Sequence, residues 1–304
     1  MLLKVSYSPH IHSGLTIQKV MQDVIISLLP ACVVSVYFFG FRAFFVICIS
    51  ILSCVLIEFF WQKFILKTHS TISDSSAALT GLLFALTLPP TIPYWQVIIG
   101  CIFSIIFGKQ IFGGLGYNPF NPALIGRAFM QVSWPQNMTS WTMPLSNITC
   151  ATPLEIIKNH LPNQLPTITD LLIGNRAGSL GETASIALIL GGIYLLWKKH
   201  ITYIIPVFYI TTVVIMSVLF GQNVVYQVLS GGLLLGAIFM ATDPVTSPVS
   251  KTGKIIFGIG CGIMTSLIRF NGGFPEGVCF SILILNMFVP IIDKFTIPKP
   301  FGKK

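Results

Sequence analysis

Long apolar runs separated by short polar intervals make up most of the chain, and this pattern predicts helices that lie within a membrane. The runs are continuously apolar, whereas the strands of a membrane β-barrel would alternate apolar and polar residues. Backbone groups in lipid must be satisfied internally, which favours helices. We count ten such segments, with the approximate bounds 20–40, 43–62, 75–88, 94–112, 119–133, 182–197, 201–220, 225–241, 252–268 and 274–293. The expected fold class is therefore an all-α polytopic membrane protein.

The composition agrees with a lipid environment. The 304 residues are 54% hydrophobic and 9% charged, whereas about a quarter of the residues in a soluble domain are charged. The net charge of +9 raises the question of a nucleic-acid partner. No patch combines aromatic and basic residues in the way that RNA-binding proteins do. We therefore interpret the basic residues as loop anchors of a protein in a lipid bilayer, with no nucleic-acid partner.

The distribution of Lys and Arg predicts the orientation of the chain. If the N-terminus is cytoplasmic, 13 of the 18 basic residues fall on the cytoplasmic side, and five fall outside or within segments. Because cytoplasmic loops are enriched in Lys and Arg, both termini are expected in the cytoplasm. Residues 134–180, the only long polar interval, are then expected outside.

The two halves of the chain resemble each other. Residues 78–89 and 233–244 share Gly, Phe, Thr and Pro at one fixed offset. Two repeats of five spans must be inverted relative to each other, because five is odd, and short segments interrupted by Pro or Gly are typical of broken helices in transporter-like cores. The sequence thus predicts a first repeat in 1–133, an extracytoplasmic loop in 134–180 and a second repeat in 181–304. Chance similarity between apolar strings rich in Gly and Pro is the alternative.

Five charged residues stand out within or beside the apolar segments. Glu58 is expected at the membrane interface near the end of its segment, rather than in a proton relay. Glu182 and Glu276 suit helix N-termini, where a carboxylate is stabilised. Asp243 precedes Pro244 and fits a turn or cap, with a cation site at a broken helix as the alternative. Arg127 is too costly to expose to lipid, so we expect it to face the protein interior, a cofactor or the outer headgroups.

The seven cysteines do not predict a metal site. Six of them lie in apolar runs, no pair has CxxC spacing, and no histidine cluster accompanies them. Buried free cysteine behaves as a small hydrophobic residue. Neither an iron–sulfur nor a zinc site is expected from this chain alone.

Four stretches carry a resemblance to a known family: 76–83, 120–123, 178–183 and 241–248. These stretches resemble the D subunit of the Rnf complex, the ion-translocating ferredoxin:NAD oxidoreductase. The resemblance extends over nearly the whole chain. The chain is more distantly similar to the B subunit of the sodium-pumping NADH:quinone reductase. The resemblance implies a ten-span core with an inverted repeat in a bacterial inner membrane. It also implies other complex subunits as partners, and electron transfer coupled to movement of Na⁺ or H⁺.

The resemblance further implies a covalent flavin on Thr152, in the loop 134–180. In this family FMN is esterified through its phosphate to a threonine on the outer side of the membrane, by a flavin transferase. The general pattern is Asp, two free positions, Ser or Thr, Gly, Ala and the acceptor Thr. Thr149, Ala151 and Thr152 match it, whereas Ser146 replaces the Asp and Cys150 replaces the Gly. A second, non-covalent flavin is left open.

Thr152 also reads as an ordinary helix start, because Pro153 follows it and Glu155 lies three residues on. The two interpretations are compatible, since a helix N-terminus also favours a phosphate. Trp134 and Trp141 flank the stretch, and we interpret them as interfacial anchors, with packing on the flavin as the alternative.

The sequence contains no Rossmann fingerprint and no residue set for hydride transfer from a nicotinamide. The chain is therefore expected to relay electrons without a complete active site of its own. The alternative is a secondary transporter or channel with no redox role, suggested by Asn118, Asn121 and Asp243 near the predicted breaks. A subunit that only anchors its partners is a third interpretation.

Overall fold

The structure is a computed structural model that describes residues 15–67, 71–146, 148–159, 161, 165–183 and 185–298. The α-helices of these ranges are α1 (Ile17–Phe60), α2 (Ser76–Leu86), α3 (Tyr94–Ile102), α4 (Pro122–Ser133), α5 (Pro135–Met138), α6 (Pro153–Lys158), α7 (Ile168–Ile173), α8 (Ser185–Trp197), α9 (Ile204–Leu219), α10 (Val224–Leu229), α11 (Leu233–Leu235), α12 (Lys251–Asn271) and α13 (Val278–Thr296). Short π-helical stretches occupy Trp61–Leu66, Phe103–Phe107 and Gly236–Met240. The described residues contain no strand, and their only β-bridge is an isolated one, so the predicted all-α class is confirmed for them.

Four helical stretches are long and apolar enough to cross a membrane: Ile17–Leu66, Tyr94–Phe112, Lys251–Asn271 and Val278–Thr296. Three shorter apolar helices, α2, α8 and α9, accompany them. This composition identifies a membrane protein. Each of the ten predicted segments overlaps a helix, but ten crossings and an inverted repeat stay predictions.

Gly40 divides α1 into two helical arms. Its φ of 68° and ψ of −161° are non-helical, and a residue without Cβ adopts them at low cost. Val20 and Val24 of the first arm line the same cavity as Lys109, whose ammonium contacts Glu58 of the second arm. The chain therefore reverses near Gly40, where the sequence predicted a boundary between the first two segments.

The helix α2 lies in the core against the second arm of α1. The Ser50 hydroxyl donates to the Gly81 carbonyl at 2.6 Å, and a Cβ on Gly81 would lie 2.8 Å from the Ile51 Cα atom. Phe84 and Leu86 are fully buried. The absence of a side chain at Gly81 thus lets two apolar helices approach closely, as small residues do at membrane helix contacts.

Packing in the two halves follows a similar scheme. The second arm of α1 packs against α3, and α9 packs against α12; these are the second and fourth segments of each half. The fifth segments, α4 and α13, pack against each other. Corresponding segments thus pack in a similar way in the two halves, while the inverted repeat stays a prediction. The two repeated glycines differ in their neighbours, because a Cβ on Gly236 would meet Val278 of α13 rather than a helix backbone.

The described residues of the predicted loop 134–180 gather at one end of the helices. The Leu145 N–H donates to the Phe38 carbonyl, beside the Gly40 reversal, at 3.0 Å. The Thr91 hydroxyl donates to the Ser140 carbonyl, also at 3.0 Å. Asp23 and Glu58 lie near the ends of the two α1 arms that are far from Gly40. The termini, 1–14 and 299–304, whose cytoplasmic location was predicted, lie outside the described residues.

Glu58 is buried inside the protein, and its predicted position at the membrane interface stays a prediction. Its side chain is 0% exposed, and both carboxylate oxygens accept from the Lys109 ammonium, at 2.9 and 2.8 Å. The Lys109 ammonium also donates to the Ser76 hydroxyl at 2.6 Å. A buried ion is tolerated when it is paired and hydrogen-bonded. The partner lies 51 residues further along the chain, which explains why inspection of the segment end did not reveal it.

Candidate functional site

The stretch that contains the predicted flavin acceptor begins as a small hairpin. An antiparallel bridge joins Thr142 and Thr149. The Cys150 N–H donates to the Trp141 carbonyl at 2.9 Å, and the Met143 N–H donates to the Ile148 carbonyl at 2.9 Å. Asn147, at the turn, lies outside the described residues. The hairpin leads directly into α6 and so fixes where α6 begins.

Thr152 is the N-cap of α6, as its sequence context predicted. Its backbone is extended, and its hydroxyl oxygen accepts a hydrogen bond from the Glu155 N–H at 3.3 Å. Pro153 occupies the first helical position, where its missing N–H has no cost. The side chain therefore satisfies a helix-end donor that would otherwise lack a partner.

The exposures of Thr149 and Thr152 differ. Thr152 is only 2% exposed, whereas Thr149 is exposed. A phosphoryl group has the right chemistry for Thr152, since the hydroxyl is the ester-forming group and the Glu155 N–H already points at its oxygen. It does not fit beside that oxygen unless the neighbouring side chains move. The residue types thus fit the cofactor, and attachment requires a local shift of the hairpin or of α6.

A cavity of about 790 Å³ lies alongside α6. Its walls come from α6 and the residues after it, from the start of α10 and from the end of α12. Within the described residues, Lys158 and Arg269 are its charged lining residues, and neither Asp nor Glu lines it. Apolar walls include Ile157 and Phe270, and side-chain amides include that of Gln227. The cavity combines an apolar surface with two positive charges.

The two cations of the cavity are held differently. Lys158 donates to the Gly272 carbonyl and, at 3.4 Å, to the Phe274 carbonyl. Burial lowers the pKa of the Lys158 ammonium, because desolvation disfavours its charged form. Arg269 directs its donors at four backbone carbonyls and one amide oxygen, which belong to Gln227, Ser230, Gly231 and Glu276. Arg269 thus fixes the chain around α10, while Lys158 keeps donor capacity for a further acceptor.

Arg127 faces the protein interior. It forms an ion pair with Glu276 and donates to the Thr87 carbonyl at the end of α2. Of the three predicted surroundings of Arg127, the structure thus shows the protein interior, with Glu276 as its ion-pair partner. Glu276 lies two residues before α13, near the predicted helix start, but its carboxylate pairs with Arg127 and does not cap that helix.

Glu182 does not cap its own helix, contrary to prediction. The helix α8 begins at Ser185, and the buried Glu182 carboxylate accepts instead from the N–H groups of Gly231 and Ser179. It therefore joins the 178–183 loop to the start of α11. Sequence reasoning missed Arg176, which is 1% exposed and donates to the Glu182 carbonyl at 2.6 Å and the Ser230 hydroxyl at 2.8 Å. It was counted only as an outside charge.

The two tryptophans near the site are not equivalent. Trp141 is 3% exposed, so its predicted role as an interfacial anchor is wrong. Hydrogen bonds within the hairpin hold its backbone inside the protein. Trp134 is partly buried and packs edge-to-face on Trp95 and Phe129, with ring centroids 5.4 and 5.9 Å away.

Comparison with protein families decides the assignment. A model of the NQR2, RnfD, RnfE family matches residues 4–302. The chain belongs to this family.

Curated relatives agree over their full lengths. The D subunit of the Na⁺-translocating ferredoxin:NAD⁺ oxidoreductase complex of Acetobacterium woodii is 44% identical, over 99% of this chain and 95% of the relative. The D subunit of the proton-translocating complex of Clostridium ljungdahlii is also 44% identical, over 100% and 97%. The D subunit of the ion-translocating oxidoreductase complex of Escherichia coli is 33% identical, over 100% and 99%. Relatives named for different ions match equally well, so identity does not select the ion.

In this family member, three of the stretches that carried the resemblance meet around a second cavity. Ser76 and Thr80 of α2, Asn121 at the start of α4, and Thr242 and Asp243 after the second π-helical stretch all line it. Segments from both halves of the chain thus line one cavity.

Asp243 is held locally within that cavity. Its carboxylate accepts from the Thr246 hydroxyl at 3.1 Å and from the Val245 N–H at 3.4 Å, which fits the predicted turn. No Lys, Arg or His lies within ion-pair distance of it among the described residues. The same residues contain no cluster of three or more His, Cys, Asp or Glu side chains that could hold a metal.

Proposed function

We propose that this chain is the membrane flavoprotein subunit of an Rnf-type complex. It relays electrons through FMN esterified to Thr152, and the complex couples this transfer between ferredoxin and NAD to movement of Na⁺ or H⁺. The oxidation or reduction of the nicotinamide belongs to other subunits. The observation that carries the proposal is the family membership together with the Thr149–Thr152 stretch in the loop at one end of the helices.

The structure supports parts of this proposal. The acceptor hydroxyl lies where a hairpin meets a helix start, at the end of the molecule opposite the Glu58–Lys109 pair. A flavin there is held by one ester bond, while its ring remains free to cycle between oxidation states. The protein would lie in a bacterial inner membrane with cytoplasmic termini, and 134–180 would face outward to meet the flavin transferase and partner subunits. A second, non-covalent flavin stays a prediction.

Mass spectrometry of the full chain, co-expressed with a flavin transferase, tests the covalent bond. We expect the mass increment of an FMN phosphoester and flavin fluorescence in a denaturing gel. Thr152→Ala removes both, whereas Thr149→Ala keeps both. Since Thr149 is the more exposed hydroxyl, loss of the flavin in Thr149→Ala alone would move the site there. Absence of flavin from the unmutated chain would refute the covalent claim.

The alternative of a passive transporter or channel has one structural motive, the cavity that both halves line around Asp243. It requires ion flux through the purified chain in liposomes without flavin and without an electron donor. We expect no such flux, because in the proposed function redox chemistry drives ion movement.

A further inference from the structure

The turn 198–203 joins α8 to α9 at the end of the molecule opposite the hairpin. The Lys199 N–H donates to the Leu196 carbonyl at 3.0 Å, and the His200 N–H donates to the Leu195 carbonyl at 3.1 Å. Lys199 has a φ of 59°, in the left-handed region that commonly ends a helix, so the chain folds back over the last turn of α8. This geometry places His200 beside the first arm of α1.

The imidazole of His200 ties this turn to α1. Its Nε2 atom lies 2.6 Å from one carboxylate oxygen of Asp23, and the Tyr194 hydroxyl donates to the other oxygen at 3.0 Å. The side chains of His200 and Asp23 are only 6% and 10% exposed, so salt screens their contact weakly. Among the described residues, this is the only side-chain hydrogen bond between 198–203 and another helix.

His200 also lies in the wall between two cavities. The cavity around Asp243 has a volume of about 80 Å³, and a neighbouring cavity of about 200 Å³, the Lys254 cavity, is lined by Lys254 of α12 and Thr202 of the turn. Thr202 is exposed, whereas Ala123 in the Asp243 cavity is 1% exposed. The wall thus separates an interior cavity from one that opens at the end of the molecule. Four residues line both cavities: His200, Ile201, Thr242 and Pro244.

The strength of the contact with Asp23 depends on the charge of the imidazole. Histidine changes its charge between about pH 5 and 8, and a carboxylate binds a protonated imidazole more strongly than a neutral one. Within the described part of the chain, Asp23 is the one carboxylate at ion-pair distance from His200. Lys109 is itself paired with Glu58. The other charged groups that share a cavity or the turn with His200 are Lys109, Lys198, Lys199, Asp243 and Lys254.

We infer that His200 and Asp23 form a proton-dependent latch between the Asp243 cavity and the Lys254 cavity. When the imidazole is protonated, the ion pair holds the turn 198–203 against α1 and keeps the wall closed. When the imidazole releases its proton to solvent, the attraction weakens, the turn moves away from α1 and the two cavities join. The latch is therefore closed at low pH and opens as the pH rises. It does not depend on a flavin at Thr152.

Thiol labelling on each side of the wall tests the latch in the full chain, purified in lipid nanodiscs. Ala123→Cys reports on the Asp243 cavity, and Thr202→Cys reports on the Lys254 cavity. Their tryptic peptides, 110–127 and 200–251, contain no native cysteine, so mass spectrometry reads labelling by N-ethylmaleimide at each position alone.

The measured quantity is the labelling rate of Ala123→Cys divided by that of Thr202→Cys. We expect this ratio to rise several-fold from about pH 5.5 to about pH 8, the range in which histidine loses its charge. Both thiols react as thiolates, so the ratio cancels much of the pH dependence of the labelling reaction itself.

Substitutions at the pair fix the latch in either state. Asp23→Asn keeps the shape of the side chain but removes its charge, and we expect a high ratio at both pH values. His200→Lys keeps a positive charge across the range, and we expect a low ratio at both. Lys199→Gln is the matched control, because Lys199 is an exposed cation of the same turn that lines neither cavity. It should keep the pH dependence of the parent.

Three results would overturn the inference. A ratio that is constant with pH while His200 and Asp23 are intact would refute the latch, and this measurement needs no variant of the pair. A ratio that falls as the pH rises would contradict its direction. A rise that persists in both Asp23→Asn and His200→Lys would assign the pH dependence to another group. The flavin mass of the same preparations is measured separately, so the latch and the proposed function fail independently.

Discussion

At the scale of single residues, Thr152 has a structural role as a helix cap and a proposed chemical role as the flavin acceptor. Its hydroxyl accepts the Glu155 N–H, and the same oxygen is the proposed acceptor of the flavin phosphate. Capping requires only an acceptor atom, whereas the ester requires a nucleophilic hydroxyl. The two roles can therefore be separated by substitution.

Thr152→Asn separates them, because Asn is a good N-cap residue but has no hydroxyl. We expect a chain without FMN whose thermal stability in detergent equals that of the unlabelled parent. Thr152→Ala loses the cap as well and is destabilised by about 0.5–2 kcal/mol relative to the unlabelled parent. Thr149→Ala is the control for both measurements. Equal stability of the Asn and Ala variants would contradict the capping role.

The buried pair of Glu58 and Lys109 gives a second prediction at this scale. Lys109→Met leaves an uncompensated carboxylate, which typically costs about 3–5 kcal/mol in a buried site. The double variant Glu58→Gln, Lys109→Met removes both charges and is expected to recover much of that stability. A double-mutant cycle by thermal unfolding in detergent measures the coupling. Additive losses would show that the two side chains do not depend on each other.

Where the sequence predicted a residue's role correctly, the neighbouring residues in the chain indicated that role. The Thr152 cap follows from Thr, Pro and Glu within four positions, and the break at Gly40 lies where the predicted first segment ends. The contacts that it missed join residues that are distant in sequence. Lys109 pairs with Glu58 across 51 positions, and Glu182 accepts from Gly231 across 49. No local pattern records such contacts, so the sequence did not reveal the partner of Glu58 and assigned Glu182 to its own helix start.

At the scale of elements, helix positions followed from hydrophobicity, whereas their lengths and irregularities did not. All ten apolar segments contain helix. Such segments are easy to recognise in the sequence, because both their lipid-facing and their core-facing residues are apolar. The π-helical stretches Phe103–Phe107 and Gly236–Met240 leave no such mark. The cavity along α6 could not be predicted either, because it forms only where α6, α10 and α12 meet.

The close contact between α1 and α2 gives a prediction for a repeated glycine. Gly81→Ala places a methyl group 2.8 Å from the backbone of Ile51, and a helix backbone has little room to move. Overpacking of this kind costs about 1–3 kcal/mol, which outweighs the gain in helix propensity. Thermal unfolding in detergent should show the loss.

Substitutions of two other glycines provide a comparison for the stability cost of Gly81→Ala. Gly236→Ala meets the side chain of Val278, which has more freedom to adjust than a backbone, so its cost is expected to be smaller. Gly273→Ala enters open space and is expected to be near neutral. If Gly81→Ala were as stable as Gly273→Ala, the approach of α2 to α1 would be looser than the structure shows.

At the scale of the whole molecule, two separate ends organise the chain. One end carries the hairpin, Thr152 and the α6 cavity. The other carries the Glu58–Lys109 pair and His200, whose imidazole contacts Asp23 at 2.6 Å. In the proposed function, electron relay takes place at the first end, whereas the cavity around Asp243 lies near the second. Any coupling between the two sites would then have to pass through the helices that connect the two ends.

The two ends predict opposite membrane faces, and single cysteines test this. Leu145, at the tip of the hairpin, is 75% exposed, and Lys198, just after α8, is also exposed. We expect a membrane-impermeant maleimide to label Leu145→Cys in vesicles with the outer face exposed. Lys198→Cys should be labelled only in inverted vesicles, because Lys and Arg collect in cytoplasmic loops. The unmutated chain, with its seven cysteines, sets the background.

Two results would revise this picture in different ways. Exchange of the two labelling patterns would reverse the orientation predicted from the basic residues and place the Thr152 loop in the cytoplasm, while leaving the fold intact. Labelling of both cysteines from one face would contradict the fold itself, because the chain reverses at Gly40 and α8 contacts the first arm of α1 through Tyr194 and Asp23. Lys198 lies four residues after Tyr194, close to its contact with Asp23, so it must lie at the end opposite the hairpin tip.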